Sequence, residues 1–349
     1  MILNHSHTDI SRNEGCTLTG VLSVTCFLQD AVTVIHGPSG CTHHNASLLH
    51  ASLAENDCLD IPLLVSSNVS EEEVIFGGEG ALMKAISSAE SYNPSLICVV
   101  STCIADTIGD DTRAVCRQAR DVPAIHIQGS GFLGGGFSDG IRNALLSLME
   151  LSSPDTNSND DSIMIVGEKN LEYEAEENFT EVARLLSLLD IDSGLRFVRR
   201  MPAADCCEIG SARFAILRDS SLDPIGSALS SRFGTEVISD FPIGLEGSLR
   251  FLRQVGDLAG IDSLTAIRDE EGMQDDLLAT FSDLCGIPVS IDVTKADPGV
   301  LLAVRSVMNS IGMTEDPSGI PLPLPFDPPI GTTGIRRTLR SWRRCISRA

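Results

Sequence analysis

With 349 residues, 42% of them hydrophobic, the chain is long enough for two or three domains and too apolar for extended disorder. Its formal net charge of −23 argues against nucleic acid or anionic membrane as a main partner, because binding either needs clustered Lys and Arg. Lysine is confined to Lys84, Lys169 and Lys295, and so acidic and Lys-poor a composition suits a salty cytoplasm.

The opening segment, MILNHSHTDISRNEG, has no apolar stretch of the kind a signal peptide needs. No apolar run approaches the length of a bilayer span, so no membrane partner and a cytoplasmic protein are expected. In that compartment the 11 cysteines are thiols or metal ligands rather than disulfides. Continuous apolar runs rich in β-branched residues then predict strands at 31–36, 61–65, 95–101, 123–128, 162–167, 195–199, 213–217, 235–239 and 287–292. Such runs read as parallel strands buried on both faces. Amphipathic stretches at 73–88, 110–119, 172–189 and 227–233 predict helices between them. The order implies α/β architecture: two to three Rossmann-like, doubly wound parallel-sheet domains with a crevice between them. The polar stretch SSPDTNSNDD reads as a linker, 152–161, after a first domain at 1–151. A second Rossmann-like domain is expected at 162–260 and a reduced third one at 261–349. The latter ends in GIRRTLRSWRRCISR, where Ile335, Leu339, Trp342 and Ile346 share one helical face and the arginines lie on the other.

No CxxC occurs, which removes zinc ribbons and ferredoxin runs. The informative cysteines stand singly, each in a loop rich in turn residues: Cys16 in EGCTLTG, Cys41 closing HGPSGC, Cys103 in STCIADTIGDD. Cys41 and Cys103 each follow a predicted strand, and in an open α/β sheet such loops gather at one edge. Cys26, Cys98 and Cys116 fall in apolar stretches and read as core thiols. Cys58, Cys285 and Cys345 read as structural, and adjacent Cys206 and Cys207 are poorly placed to share one metal. Asp110 and Asp111 read as helix caps. A four-iron cluster takes four protein ligands, so three thiolates fall one short. A second subunit supplies the rest, or a carboxylate or an open site completes the set.

Gly129 to Gly134 spells GxGxxG, including Gly131 and Gly134, but the acidic residue a dinucleotide site needs would fall in the linker. A tight turn into a helix explains the pattern equally. His36, His43, His44 and His50 surround Cys41; they cap or pack, or His43 or His44 donates a proton nearby.

In order, CTLTG, HGPSGC, EEEVIFGGEGALMKAI, STCIADTIGDD and GSGFLGGG resemble the nitrogenase component 1 family, best over residues 16–151. That family includes molybdenum–iron protein subunits, cofactor-assembly scaffolds, dark tetrapyrrole reductases and the nickel-sirohydrochlorin reductase of methanogens. The resemblance implies that Cys16, Cys41 and Cys103 are metal ligands of a [4Fe-4S] or P-cluster-like iron–sulfur cluster at a subunit interface. It implies two partners: an identical or homologous component 1 subunit, and an iron-protein-like ATPase reductase. The chain itself has no GxxxxGK[ST] phosphate loop. Departures from the family are as informative. The position of the usual cofactor cysteine carries Arg218, no His follows His126, and the proton-relay His is replaced by Ile141. The resemblance therefore implies an oxidoreductase that does not reduce dinitrogen and acts on another substrate, a tetrapyrrole being the class expected. Arg218 would pair with a substrate carboxylate, and His43, Gly131 and Gly134 would line the substrate side. The alternative is a non-catalytic scaffold for metallocofactor assembly.

Overall fold

In the computed structural model the described residues are 15–55, 62–119, 121–132, 134–153, 162–172, 174–296 and 298–348. Most of the expected linker, from residue 154 to 161, lies outside them, as does Cys58. Two compact units form, one from residues 1–175 and 194–237, the other from 176–193 and 238–349.

The first unit opens with α1 (Thr17–Thr25), a helix buried along its entire length. Its threonines, serine and valines have modest helix propensity, so packing rather than local preference holds it. There follow β1 (Ala31–His36), α2 (Ser39–Glu55), β2 (Leu64–Ser66), α3 (Glu71–Phe76), α4 (Glu79–Glu90) and β3 (Leu96–Ser101). Then come α5 (Cys103–Ile108), α6 (Thr112–Cys116), β4 (Ala124–Gln128) and α7 (Phe137–Met149). The strands form a sheet ordered β2-β1-β3-β4, parallel throughout. The inner strand β3, LICVVS, is buried at every position, as a strand covered on both faces must be.

α1 and α7 cross at two glycines. A Cβ on Gly20 would lie 2.0 Å from the Phe137 carbonyl oxygen, and one on Gly140 would lie 2.0 Å from that of Thr17. The helix expected over 73–88 is two helices. A capping box at Ser70 and Glu73 starts α3, and Gly77, at φ +100°, ends it. The helix expected from residue 110 starts at Thr112, because Asp111 rather than Asp110 is its cap.

A second sheet is built from β5 (Ile163–Val166), β6 (Ser193–Phe197), β7 (Phe214–Leu217) and β8 (Glu236–Ile238), ordered β6-β5-β7-β8. Between β5 and β6 the chain forms α8 (Ala175–Ser187), and between β7 and β8 it forms α9 (Asp223–Phe233). One apolar core joins Leu18, Leu22 and Leu145 to Met164, Val166 and Leu217.

The second unit contains α10 (Gly244–Ala259), α11 (Leu264–Thr280), β9 (Pro288–Ser290), α12 (Pro298–Ile311), β10 (Thr314–Glu315), β11 (Ile320–Pro321) and α13 (Gly331–Ile346). Its small sheet is parallel, ordered β10-β9-β11. The two-residue strands β10 and β11 carry too short a pattern for the sequence to reveal. In α13, Ile335, Leu339 and Trp342 are 0% exposed, and Ile346 packs against the same core. Among the described residues the three sheets fall within 31–128, 163–238 and 288–321.

Candidate functional site

β1 and β3 run side by side with His36 opposite Ser101, so their carboxyl ends finish level. From β1 the chain goes to β2 on one side, then returns to β3 on the other. This is a topological switch point, where an α/β sheet opens a crevice. Cys41 follows β1 and Cys103 follows β3.

All three singled-out cysteines lie at helix starts, not in the open loops expected. Cys16 is the N-cap of α1, Cys41 is in the first turn of α2, and Cys103 is the first residue of α5. The partial positive charge of a helix N-terminus favours a thiolate or other anion there.

Hydrogen bonds tie the three segments together. Thr19, one turn beyond Cys16, donates to Asn45 Oδ1 at 2.7 Å, and Asn45 Nδ2 donates to the Cys41 carbonyl at 2.9 Å. The Thr102 N–H donates to the His36 carbonyl at 3.0 Å. The Gly131 N–H points at Cys103 Sγ, 3.4 Å away. The glycine-rich turn therefore offers its backbone donor to a cysteine sulfur. A side chain at Gly131 would collide with Thr17 Oγ1 and the Gly135 carbonyl oxygen, 2.7 and 2.8 Å from its Cβ. Gly134 sits at φ +105° on the exposed part of this turn.

Burial raises the Cys41 thiol above its ordinary range, and the nearby Cys16 and Cys103 raise it further. Cys16 and Cys103 thus both lie near Cys41. Among the described residues, however, no three His, Cys, Asp or Glu side chains converge tightly enough for a single metal ion. Three thiols with Cys41 between the other two segments, not converged on one point, suit a multi-iron cluster better than an isolated cation. Cys16 is exposed while Cys41 and Cys103 are half-buried, so the set opens outward on one side.

A second network lies beside it. His36 is fully buried; its Nδ1 is 2.9 Å from Ser67 Oγ and its Nε2 is 2.9 Å from Asp110 Oδ2. Asp110 also accepts the Gly78 N–H at 2.9 Å, and Ser67 accepts the Gly37 N–H at 3.0 Å. Asp110 thus braces the loop after α5 against the break between α3 and α4. From the sequence alone Asp110 reads as a helix cap. Its adjacency to the true cap Asp111 hid the difference.

The remaining candidates scatter. His43 and His44 are exposed on α2. Arg218 directly follows β7, its N–H donating to the Val166 carbonyl, with the residue 3% exposed. Ile141 packs against the core around Leu18. Burial pushes the thiols of Cys26, Cys116 and Cys206 up to about 12, and that of Cys98 higher still, as suits core residues.

A family model described as nitrogenase component 1 type oxidoreductase matches residues 16–315. The chain is 29% identical, over 252 residues, to the nitrogenase iron-molybdenum cofactor biosynthesis protein NifE of Clostridium pasteurianum, a match covering 70% of this chain and 54% of that protein. It is 25% identical to the nitrogenase molybdenum-iron protein alpha chain of Methanosarcina barkeri over 75% of this chain and 50% of that one. The chain thus spans about half the length of these relatives. A solved structure titled "Nitrogenase Cp1 at pH 6.5" superposes with a TM-score of 0.67 at 21% identity, covering 88% of this chain and 62% of that one, a likeness of fold.

Proposed function

The chain belongs to the nitrogenase component 1 type oxidoreductases, and from that premise we propose that it is the cluster-binding subunit of a nitrogenase-like oxidoreductase. Cys16, Cys41 and Cys103 would hold an iron–sulfur cluster. The observation that carries this reading is the gathering of three thiols from three separate segments at helix N-termini, two of them beside the switch point of a parallel sheet. When bound, such a cluster supplies one-electron chemistry at low potential. The chain's own residues supply thiolate ligands, the Gly131 N–H aimed at Cys103 Sγ, and helix ends that offset negative charge.

Three thiolates leave the ligand set one short, so an identical or homologous chain is proposed to complete it. Lacking a phosphate loop of its own, the chain would receive electrons from an iron-protein-like ATPase. With Arg218 at the usual position of the cofactor cysteine, dinitrogen is not the proposed substrate. A tetrapyrrole is, with Arg218 pairing bidentately with one of its carboxylates.

Anaerobically purified protein should be brown and contain iron. Cys16→Ala, Cys41→Ala and Cys103→Ala should each deplete it, while Cys98→Ala, in the core, should not. Full iron content in Cys41→Ala and Cys103→Ala would sink the assignment.

The similarity to NifE supports a second reading, a scaffold on which a metallocofactor is assembled. Protein loaded with radioactive iron separates the two. A scaffold hands its label to an acceptor protein, whereas an oxidoreductase keeps its label and turns over when given reductant and ATP.

A further inference from the structure

Each of the three cysteines has a threonine next to it in sequence: Thr17 after Cys16, Thr42 after Cys41, Thr102 before Cys103. The Oγ1 of all three is buried and without a hydrogen-bond partner. Among the described residues, Thr112 is the one other threonine in that condition. Thr17 and Thr102 are 1% and 2% exposed, so water does not reach them freely. A buried hydroxyl with no partner costs free energy, and native chains rarely leave one so.

Thr102 makes the point most sharply. It is the N-cap of α5, where a threonine hydroxyl ordinarily accepts from an N–H in the first turn, yet it makes no such bond. Its Oγ1 instead lies against Gly37, 2.1 Å from where a Cβ there would stand, between the segments leading to Cys41 and Cys103. Thr17 Oγ1 lies against Gly131, whose N–H points at Cys103 Sγ. Both hydroxyls sit at seams between the cysteine-bearing segments and the loops packed on them.

Resting on the cluster-binding reading above, we propose that Thr17 and Thr102, with Thr42 at the third corner, donate hydrogen bonds to sulfur atoms of the bound cluster and set its reduction potential. A hydroxyl has one donor to give, and thiolate and sulfide sulfurs are acceptors. Donation draws negative charge off the sulfur, stabilises the reduced form and raises the potential.

The test compares Thr17→Val and Thr102→Val, which keep the shape and lose the donor, with Thr17→Ser and Thr102→Ser, which keep the donor. Iron per chain, midpoint potential by titration followed with electron paramagnetic resonance, and thermal midpoint of the chelator-treated protein are read for each. The expected result is full iron, a lower potential in the Val variants, and a potential near wild type in the Ser variants. In iron-free protein the Val variants should unfold no earlier than wild type, since no protein partner is lost. Val variants that lose iron while Ser variants keep it also support the proposal. Val variants with full iron and unchanged potential overturn it and leave the cluster assignment standing. So does a Ser variant that shifts or loses iron as much as its Val counterpart, or an iron-free Val variant that unfolds earlier. Wild-type protein without iron removes both readings together.

Discussion

Cys98 and Cys103 stand five positions apart at one strand–helix junction, and their surroundings oppose each other. Cys98 is 0% exposed among apolar strands, and burial drives its thiol far above the ordinary range. Cys103 is half-buried, two residues beyond the end of β3, with a backbone N–H aimed at its sulfur. The first is a small hydrophobe; the second has the setting of a ligand. Burial of Cys26, Cys116 and Cys206 gives a pH dependence. Their thiols are raised from 9.0 to about 12 in the fold. Below pH 9 both folded and unfolded chains hold these protons, and no stability is at stake. Above it the unfolded chain releases them while the folded chain cannot, so stability falls as pH rises. The loss should be on the order of 1 kcal/mol per thiol for each pH unit between 9 and 12. Urea midpoints of iron-free, reduced protein at pH 8 and pH 10 check this; an unchanged midpoint would contradict the burial of these thiols. The sequence separated core thiols from candidate ligands because apolar flanks and turn-rich flanks differ at a glance. It could not separate Asp110 from Asp111, since two adjacent carboxylates before a helix look alike until His36 is brought to one of them.

At the scale of elements, the position of Cys16 depends on α1, and α1 depends on two glycines. The approach of Gly20 to the Phe137 carbonyl and of Gly140 to the Thr17 carbonyl leaves no room for a methyl group, and backbone cannot swing aside as a side chain can. Gly140→Ala should therefore cost about 1–3 kcal/mol or more, despite alanine's better helix propensity. Chemical denaturation measures it, and a stabilised variant would refute the crossing. In the second unit, Arg184 bridges Glu181 and Glu270 at 2.8 Å each. The two carboxylates accept from Thr333 and Thr332 at the start of α13. Burial alone would raise the Glu181 carboxyl, but bonds from Arg184 and Thr333 outweigh it and hold it below its usual value. Glu181 therefore contributes stability at neutral pH that is lost on acidification. Arg184→Met should destabilise by about 3 kcal/mol or more, because two buried carboxylates lose their cation. A loss within the error of a surface substitution would show the network to be solvated. The apolar face of α13 was legible from its spacing alone. This network was not, since its members lie on three helices far apart in sequence.

For the whole molecule, the question is what would complete the proposed three-thiolate site. Iron-loaded protein should sediment as a dimer, or as a heterodimer with a homologous chain, with the cluster near the axis relating the two. An iron-loaded strict monomer would contradict the proposed shared site. The net charge of −23 bears on the same experiment. Two such chains repel at low ionic strength, so dimer yield should not fall as salt is raised to screen that repulsion.

The sequence by itself determined the α/β class, nine of the strands to within a few residues, the buried face of α13, and the three cysteines that stand apart from the rest. Those features are local: continuous apolar runs, a helical repeat and turn-rich flanks can each be read within a dozen positions. Only the tertiary structure decided that Cys16, Cys41 and Cys103 sit at helix starts, with Cys16 and Cys103 near Cys41. It also decided that the GxGxxG turn lends its N–H to a cysteine sulfur, and that three adjacent hydroxyls are left without partners. The reason is that strand order and helix crossing bring together residues far apart in the chain, and no local pattern records which of them will meet.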